Sequence, residues 1–400
     1  MGVKTDFLII GGGVIGLSVA RRLKVLFPDT GVVLIEKERD CGLHASGRNS
    51  GVLHAGFYYT PDSLKAKYTQ QGNQSLSDYC TEKRIKINRC GKLVVARDEN
   101  DLPRLDELLR RGRANGVPLE AVSEDEAHAI EPRVKTCGRA IYSPTTASVD
   151  PVEVMQAMRR DALTEGIEVH VDTAYLGQGK EGVRTSAGLY QAGYVINAAG
   201  LYADKVARDF GFSEHYRILP FKGLYLYSEE PPQAVRTNVY PVPDLRNPFL
   251  GVHYTVTVDG HCKIGPTAIP ALWREQYNSF GNFHLSEFAE ILFRQAGLFV
   301  SSDFGFKRLA VEEFAKYSRK RMVEQAATLL SGVMPEQYRR WGRPGIRAQL
   351  VDLRSKRLEM DFVLEGDKGS MHILNAVSPA FTCAIPIARH VCEEVCKQIH

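Results

Sequence analysis

At 400 residues, with 44% hydrophobic and 24% charged side chains, the chain has the composition of a soluble globular protein and the length for two or three domains. Lys and Arg total 51 against 47 Asp and Glu, a formal charge of +4. That is too small to suggest a nucleic-acid partner, which needs a clustered basic face. No apolar run approaches the roughly 18–20 residues that span a bilayer.

The chain reaches an apolar strand by Phe7 with no basic leader or cleavage site before it, so a cytoplasmic location is expected. Phe7-Leu8-Ile9-Ile10 reads as a strand covered on both faces. Gly11-x-Gly13-x-x-Gly16 follows directly, and Val14, Ile15, Leu17, Ala20 and Leu23 continue at helical spacing. Val32–Ile35 is a second buried strand and ends at Glu36. Glycines between a strand and a helix, with an acid where the next strand ends, predict a dinucleotide site. Gly11 turns the chain, Gly13 admits a pyrophosphate and Gly16 packs helix on strand, while Glu36 accepts from ribose hydroxyls. Val14, Ile15 and Lys37 complete the expected contacts. The acid disfavours a 2′-phosphate, which leaves NAD or FAD.

Residues 41–59, CGLHASGRNSGVLHAGFYY, suit neither helix nor strand. Two histidines ten residues apart with no acid between them make a poor metal site, and no metal is expected. Ser46 to Gly51, including Arg48, Asn49 and Ser50, reads as a cofactor cradle; Val52 to Tyr59, with His54, reads as the wall beside the reacting centre. His44, upstream, reads as a loop histidine. Pro61-Asp62-Ser63 can start a helix. The stretch 166–178, with Ala174, and then Tyr194-Val195-Ile196 followed by Asn197-Ala-Ala199-Gly200 bring a second strand, turn and helix. A NAD domain would have continued strand–helix–strand after Glu36; this arrangement points to FAD and a domain interrupted by insertions.

Residues 216–268 alternate and carry aromatics, and Asp259-Gly260 predicts a hairpin. On it Val252, Tyr254, Val256 and Val258 share one face, and His253, Thr255 and Thr257 the other, a polar wall for a substrate cavity. Residues 284–340 read mostly as helices with basic clusters at 319–321 and 339–340, and the tail gives a strand and then Ser378-Pro379, with Ala380, opening a final apolar helix. The eight cysteines are scattered without a CxxC pair and read as free thiols in a reducing compartment. There is no internal repeat or low-complexity linker. The fold class is α/β (α+β overall), a Rossmann-like domain with an inserted substrate domain of antiparallel sheet plus helices. The expected boundaries are 1–88, 148–215 and 343–400 for the nucleotide domain, and 89–147 and 216–342 for the insertion.

The segments SGRNSGVLHAGFYYTPDSLKAK (46–67), YPVPDLRNPFLGVHYTVTVDG (240–260), GPTAIPAL (265–272), GIRAQLVD (345–352) and NAVSPAFT (375–382) together cover the chain in order. On these the chain resembles the D-amino-acid-oxidase-like FAD oxidoreductases of the glutathione-reductase-2 fold type, and within them the L-2-hydroxyglutarate dehydrogenase/oxidase family. It departs from that pattern at Arg48, in Phe221–Tyr225 and at Val256 and Thr257, changes that fall on the substrate wall.

The resemblance implies non-covalent FAD, a small carboxylate substrate, hydride transfer from Cα to flavin N5, and electrons passed to quinone or O2. The base that takes the hydroxyl proton should be neutral near pH 7, which selects histidine. His54 and His253 are the candidates, with His253 preferred because a strand holds geometry better than a loop. Arg347 suits a carboxylate; Lys222, Tyr59 and Tyr254 are further substrate contacts, and Gly345 and Arg347 itself join the cofactor set. The basic clusters around Trp341 read as a solvated face or as peripheral membrane contact; the oligomeric state is left open. An amine or amino-acid oxidase of the glycine- or sarcosine-oxidase kind, and a non-catalytic flavin-binding module, stay as alternatives.

Overall fold

The computed structural model describes residues 2–245, 249–301 and 313–399. The strand Val3–Ile10 ends in four buried apolar residues, which need cover on both faces. It lies between Val32–Ile35 and Gly188–Asn197, all parallel. Ser370–Ile373 and Glu168–His170 extend the parallel run, giving the spatial order 370–373, 188–197, 3–10, 32–35, 168–170. Helix Val14–Leu26 packs on helices Pro151–Thr164 and Ala384–Ile399 and buries Val14, Ile15, Leu17 and Leu23. The turn before it accepts only glycine at two points. A Cβ at Gly16 would fall 1.9 Å from the Gly11 carbonyl oxygen, and Gly11 itself has φ of +112°. Ser63 caps helix Leu64–Glu82 by accepting from the Ala66 N–H, as the Pro-Asp-Ser sequence suggests.

A second, eight-stranded sheet is mixed rather than antiparallel throughout. Lys92–Val95 runs parallel to Asn238–Pro241, while His253–Val256 and Cys262–Gly265 form the antiparallel hairpin that Asp259-Gly260 turns. Two expectations need correction here. Gly345–Asp352 pairs along its whole length with Tyr216–Gly223, so boundaries at 216 and 343 would split one hydrogen-bonded ladder. The final helix begins at Ala384, not at Ser378-Pro379, where the chain is still in turns. Of the helical reading of 284–340, Leu285–Ser301 and Arg319–Ala326 are helices; 302–312 lie outside the described residues, and 340–341 are a short strand.

Candidate active site

One cavity of about 880 Å³ runs from the Gly11–Gly13 turn to the polar face of the mixed sheet, at the upper end of the usual range for small-molecule sites. At its nucleotide end are Gly11, Gly13, Val14, Ile15, Glu36 and Lys37. Glu36 accepts from the Gly12 N–H at 2.7 Å and the Glu38 N–H at 2.9 Å, so its carboxylate is fixed at the end of its strand. Ser46 Oγ accepts from the Val14 N–H at 2.9 Å, which ties the 41–51 loop to the start of the helix. Arg48, Asn49, Ser50, Ala174, Ala199, Gly200 and Gly345 also line the cavity. So do Ser378, Pro379 and Ala380, as a turn ahead of the last helix.

Several assignments shift in detail. Gly16 and Gly51 are not lining residues; Gly16 serves packing, and Gly51, at φ +78°, would press a Cβ 2.2 Å from the Val149 oxygen. Asn49 spends its side chain on its own loop, donating to the Ser46 carbonyl at 2.7 Å and accepting from the Gly51 N–H at 2.8 Å. Arg48 donates to the Leu43 carbonyl at 2.6 Å and stacks over Tyr277. His44, read above as a loop histidine, lines the cavity and meets Tyr277 OH at 2.7 Å and Glu38 at 2.9 Å.

The other end holds His54, His253 and Arg347. The strand carrying His253 alternates, so Tyr254 points to the opposite face, into a core cluster with Val239, Ile264 and Tyr338. Its expected substrate contact is therefore wrong. Tyr59 is also absent from the lining; Lys65 Nζ lies 5.9 Å from its ring. Lys222 is buried and does not line the cavity, although Gly223 beside it and its cross-strand neighbour Ile346 do. Tyr240 and Tyr225 line the wall instead. Tyr240 lies inside the YPVPD segment, next to Val239, which pairs with Tyr254 in the core, so alternation turns Tyr240 to the cavity face.

His253 Nδ1 meets the Gly251 carbonyl at 2.9 Å. A carbonyl only accepts, so Nδ1 carries the proton and Nε2 is left as an acceptor. The ring stacks on Tyr240 at 3.6 Å between centroids and 19°. Burial pushes His253 well below the usual imidazole range. Burial, helped by the charge of Lys92, pushes His54 down to about 3. Both rings are therefore neutral near pH 7. Arg347 is enclosed, and a hydrogen bond from Nη1 to the Thr267 carbonyl at 2.9 Å holds it beside the Phe249 ring.

Residues 6–394 match the family model described as FAD dependent oxidoreductase. The chain belongs to that family. FAD is the cofactor of this oxidoreductase, and the residues fit it: a glycine turn that a Cβ would fill, a helix start behind it and an acid at the next strand end. It is 36% identical over 402 residues to an L-2-hydroxyglutarate dehydrogenase of Escherichia coli O17:K52:H18, covering 98% of this chain and 93% of that one. It is 35% identical to the mitochondrial L-2-hydroxyglutarate dehydrogenase of Homo sapiens, covering 98% and 88%. Among solved structures it is similar to an FAD-bound L-alpha-glycerophosphate oxidase of Mycoplasma pneumoniae, at TM-score 0.77 and 21% identity over 98% of this chain and 94% of that one. A glycine oxidase of Geobacillus kaustophilus aligns at TM-score 0.72 and 19% identity, over 99% and 95%. At those identities the structural likeness speaks for the fold of the oxidoreductase.

Proposed function

We propose that this oxidoreductase oxidises an L-2-hydroxy acid, and that L-2-hydroxyglutarate, going to 2-oxoglutarate, is the acid it fits best. The observation that carries the reading is one cavity wall with two neutral imidazoles and a half-buried guanidinium held by a backbone carbonyl. Full-length relatives named for that substrate support it. FAD held in this cavity would supply the acceptor for the Cα hydrogen and its electron pair. His253 Nε2 accepts the hydroxyl proton as the carbonyl forms, and the positive charge it gains is offset by the carboxylate of the substrate. Arg347 binds that carboxylate with its remaining N–H donors, and His54 orients the hydroxyl. The cofactor is held non-covalently by the Gly11–Ile15 turn, Glu36, the Ser46–Ser50 loop and the Ser378–Ala380 turn. We assign the domains to match: the parallel sheet and its helices carry the nucleotide, and the mixed sheet carries the substrate wall.

Anaerobic mixing with a panel of acids tests the reading. L-2-hydroxyglutarate should bleach the yellow absorbance of the oxidised flavin, while N-methylglycine and D-amino acids leave it yellow. Bleaching by the amines and not by the hydroxy acid would replace the reading with an amine oxidase.

The electrons pass to quinone or O2. No helix among the described residues is long and apolar enough to cross a membrane. Phe280 and Phe293 nevertheless stand 84% and 82% exposed, with Leu285 at 72%. We assign these exposed apolar side chains to peripheral contact with a membrane holding the acceptor. Co-sedimentation with anionic vesicles is expected, and a F280S/F293S double variant should lose at least half of it.

A further inference from the structure

The polar face of the mixed sheet carries a charge that the reaction above does not use. Lys92 is fully buried and its Nζ has no hydrogen-bond partner. Three rings surround it instead: Nζ lies 4.9 Å from the Phe57 centroid, 4.8 Å from Tyr58 and 4.7 Å from Tyr240. Among the described residues no carboxylate pairs with it. Ring faces offset only part of the cost of burying an ammonium, and a methionine would occupy the same space without that cost. A side chain that weakens the fold where an apolar one would strengthen it points to a task outside folding.

The geometry connects it to the cavity. Lys92 pairs across the sheet with Asn238, two residues before Tyr240, and Tyr240 is the ring stacked on His253. The cluster contains other polar atoms without partners, Tyr58 OH and His54 Nδ1.

We propose that Lys92 is a positioning residue for an anionic substrate: from behind the Tyr240–His253 stack it supplies positive potential that draws a dicarboxylate into the cavity, and the bound anion completes the charge that the rings leave unpaired. This rests on the carboxylate reading of the cavity given above.

Burial alone pulls Lys92 down to about 7. The free protein therefore loses this charge as pH rises through 7. A bound anion favours the charged form, so dicarboxylate binding takes up a proton and weakens with rising pH. The titratable groups facing Lys92 are His54 and Tyr58 from the 52–59 loop, Tyr240 from its neighbouring strand and His253 from the next one. The imidazoles stay neutral and burial pushes both phenols up, so none of the four changes charge between pH 6 and 9. Arg347 beyond them stays charged. Lys263, farther along the same face beside Tyr225, is pushed down to about 8 by burial; replacing Lys92 separates the two.

Glutarate, which has no hydroxyl to oxidise, serves as the probe, titrated into the FAD-loaded protein by flavin absorbance and by calorimetry in two buffers. The wild type should lose about tenfold in affinity from pH 6 to 9 and take up a proton on binding. K92M and K92Q should bind about tenfold more weakly at pH 6, show a flatter profile and take up less proton, while K92M melts at a higher temperature. Unchanged glutarate affinity and slope in both variants overturn the role of Lys92, even if L-2-hydroxyglutarate still bleaches the wild type. If neither variant retains FAD, the wild-type profile decides, and a flat one between pH 6 and 9 overturns it. A wild type indifferent to glutarate but reduced by an amine overturns both this inference and the function it rests on.

Discussion

Replacing His253 by Gln is expected to slow anaerobic flavin reduction by L-2-hydroxyglutarate by about 10²–10⁴-fold, the usual contribution of a positioned general base, while FAD stays bound. Glutamine keeps a polar side chain of similar reach but cannot accept and hold a proton. Of the two imidazoles in the cavity, His253 is the one held in place: the Gly251 carbonyl takes its Nδ1–H, and Tyr240 stacks on its ring. The His54 ring has no hydrogen-bond partner at Nδ1, and the residue is held through its backbone, its N–H donating to Thr382 Oγ1 at 3.2 Å and its carbonyl accepting from Asn73 Nδ2 at 3.2 Å. A ring fixed in one tautomer is the better base, and one with an open nitrogen suits hydrogen bonding to the hydroxyl. His54→Gln should therefore raise KM more than it lowers kcat. Because both rings are neutral well below pH 6.5, the acid side of the kcat profile should show no fall near the usual imidazole value. Stopped-flow reduction of both variants decides the matter; rates within threefold of wild type for both would remove the histidines from the chemistry.

Arg347→Met is expected to lower kcat/KM by about 10²–10³-fold, in line with the 2–5 kcal/mol that removing one partner of an enclosed charge pair typically costs. Burial lowers the basicity of Arg347, yet a guanidinium keeps its charge at any working pH. The Thr267 carbonyl and the Phe249 ring hold its plane, so the remaining donors are already oriented when a carboxylate arrives. Lysine would keep the charge and lose the fork, so Arg347→Lys should recover only a small part of the loss. Steady-state kinetics with both variants check this. A KM for L-2-hydroxyglutarate within threefold of wild type in Arg347→Met would place carboxylate recognition elsewhere on the wall.

Much of the site was legible because its signals are local. Gly11, Gly13 and Gly16 declare themselves by spacing, since a strand-to-helix turn that lets backbone approach phosphate tolerates no Cβ. The hairpin at Asp259-Gly260 and the alternation through His253 placed that imidazole on the polar face. The same alternation places Tyr254 on the other face, where its hydroxyl cannot reach the cavity whatever its chemistry. Lys222 is a cation of suitable chemistry that the tertiary structure leaves outside the lining.

Lys92 carried no signal of its own. In sequence it is a lysine opening a strand, and nothing local says that Phe57 and Tyr58 from one segment and Tyr240 from another will close over it. Glu275 and Tyr277, which meet Lys37 and His44 at the cavity mouth, are likewise brought there from more than two hundred residues away.

The sequence by itself determined the glycine turn between strand and helix, the FAD-type arrangement and the face of the strand on which His253 lies, because each is written in residues adjacent in the chain or at a fixed strand or helix period. Only the tertiary structure decided which cations and phenols face the cavity, and that one sheet joins segments 92–95 and 238–265. Those outcomes depend on strand pairing across long separations, and shifting such pairing by one residue turns every side chain to the opposite face.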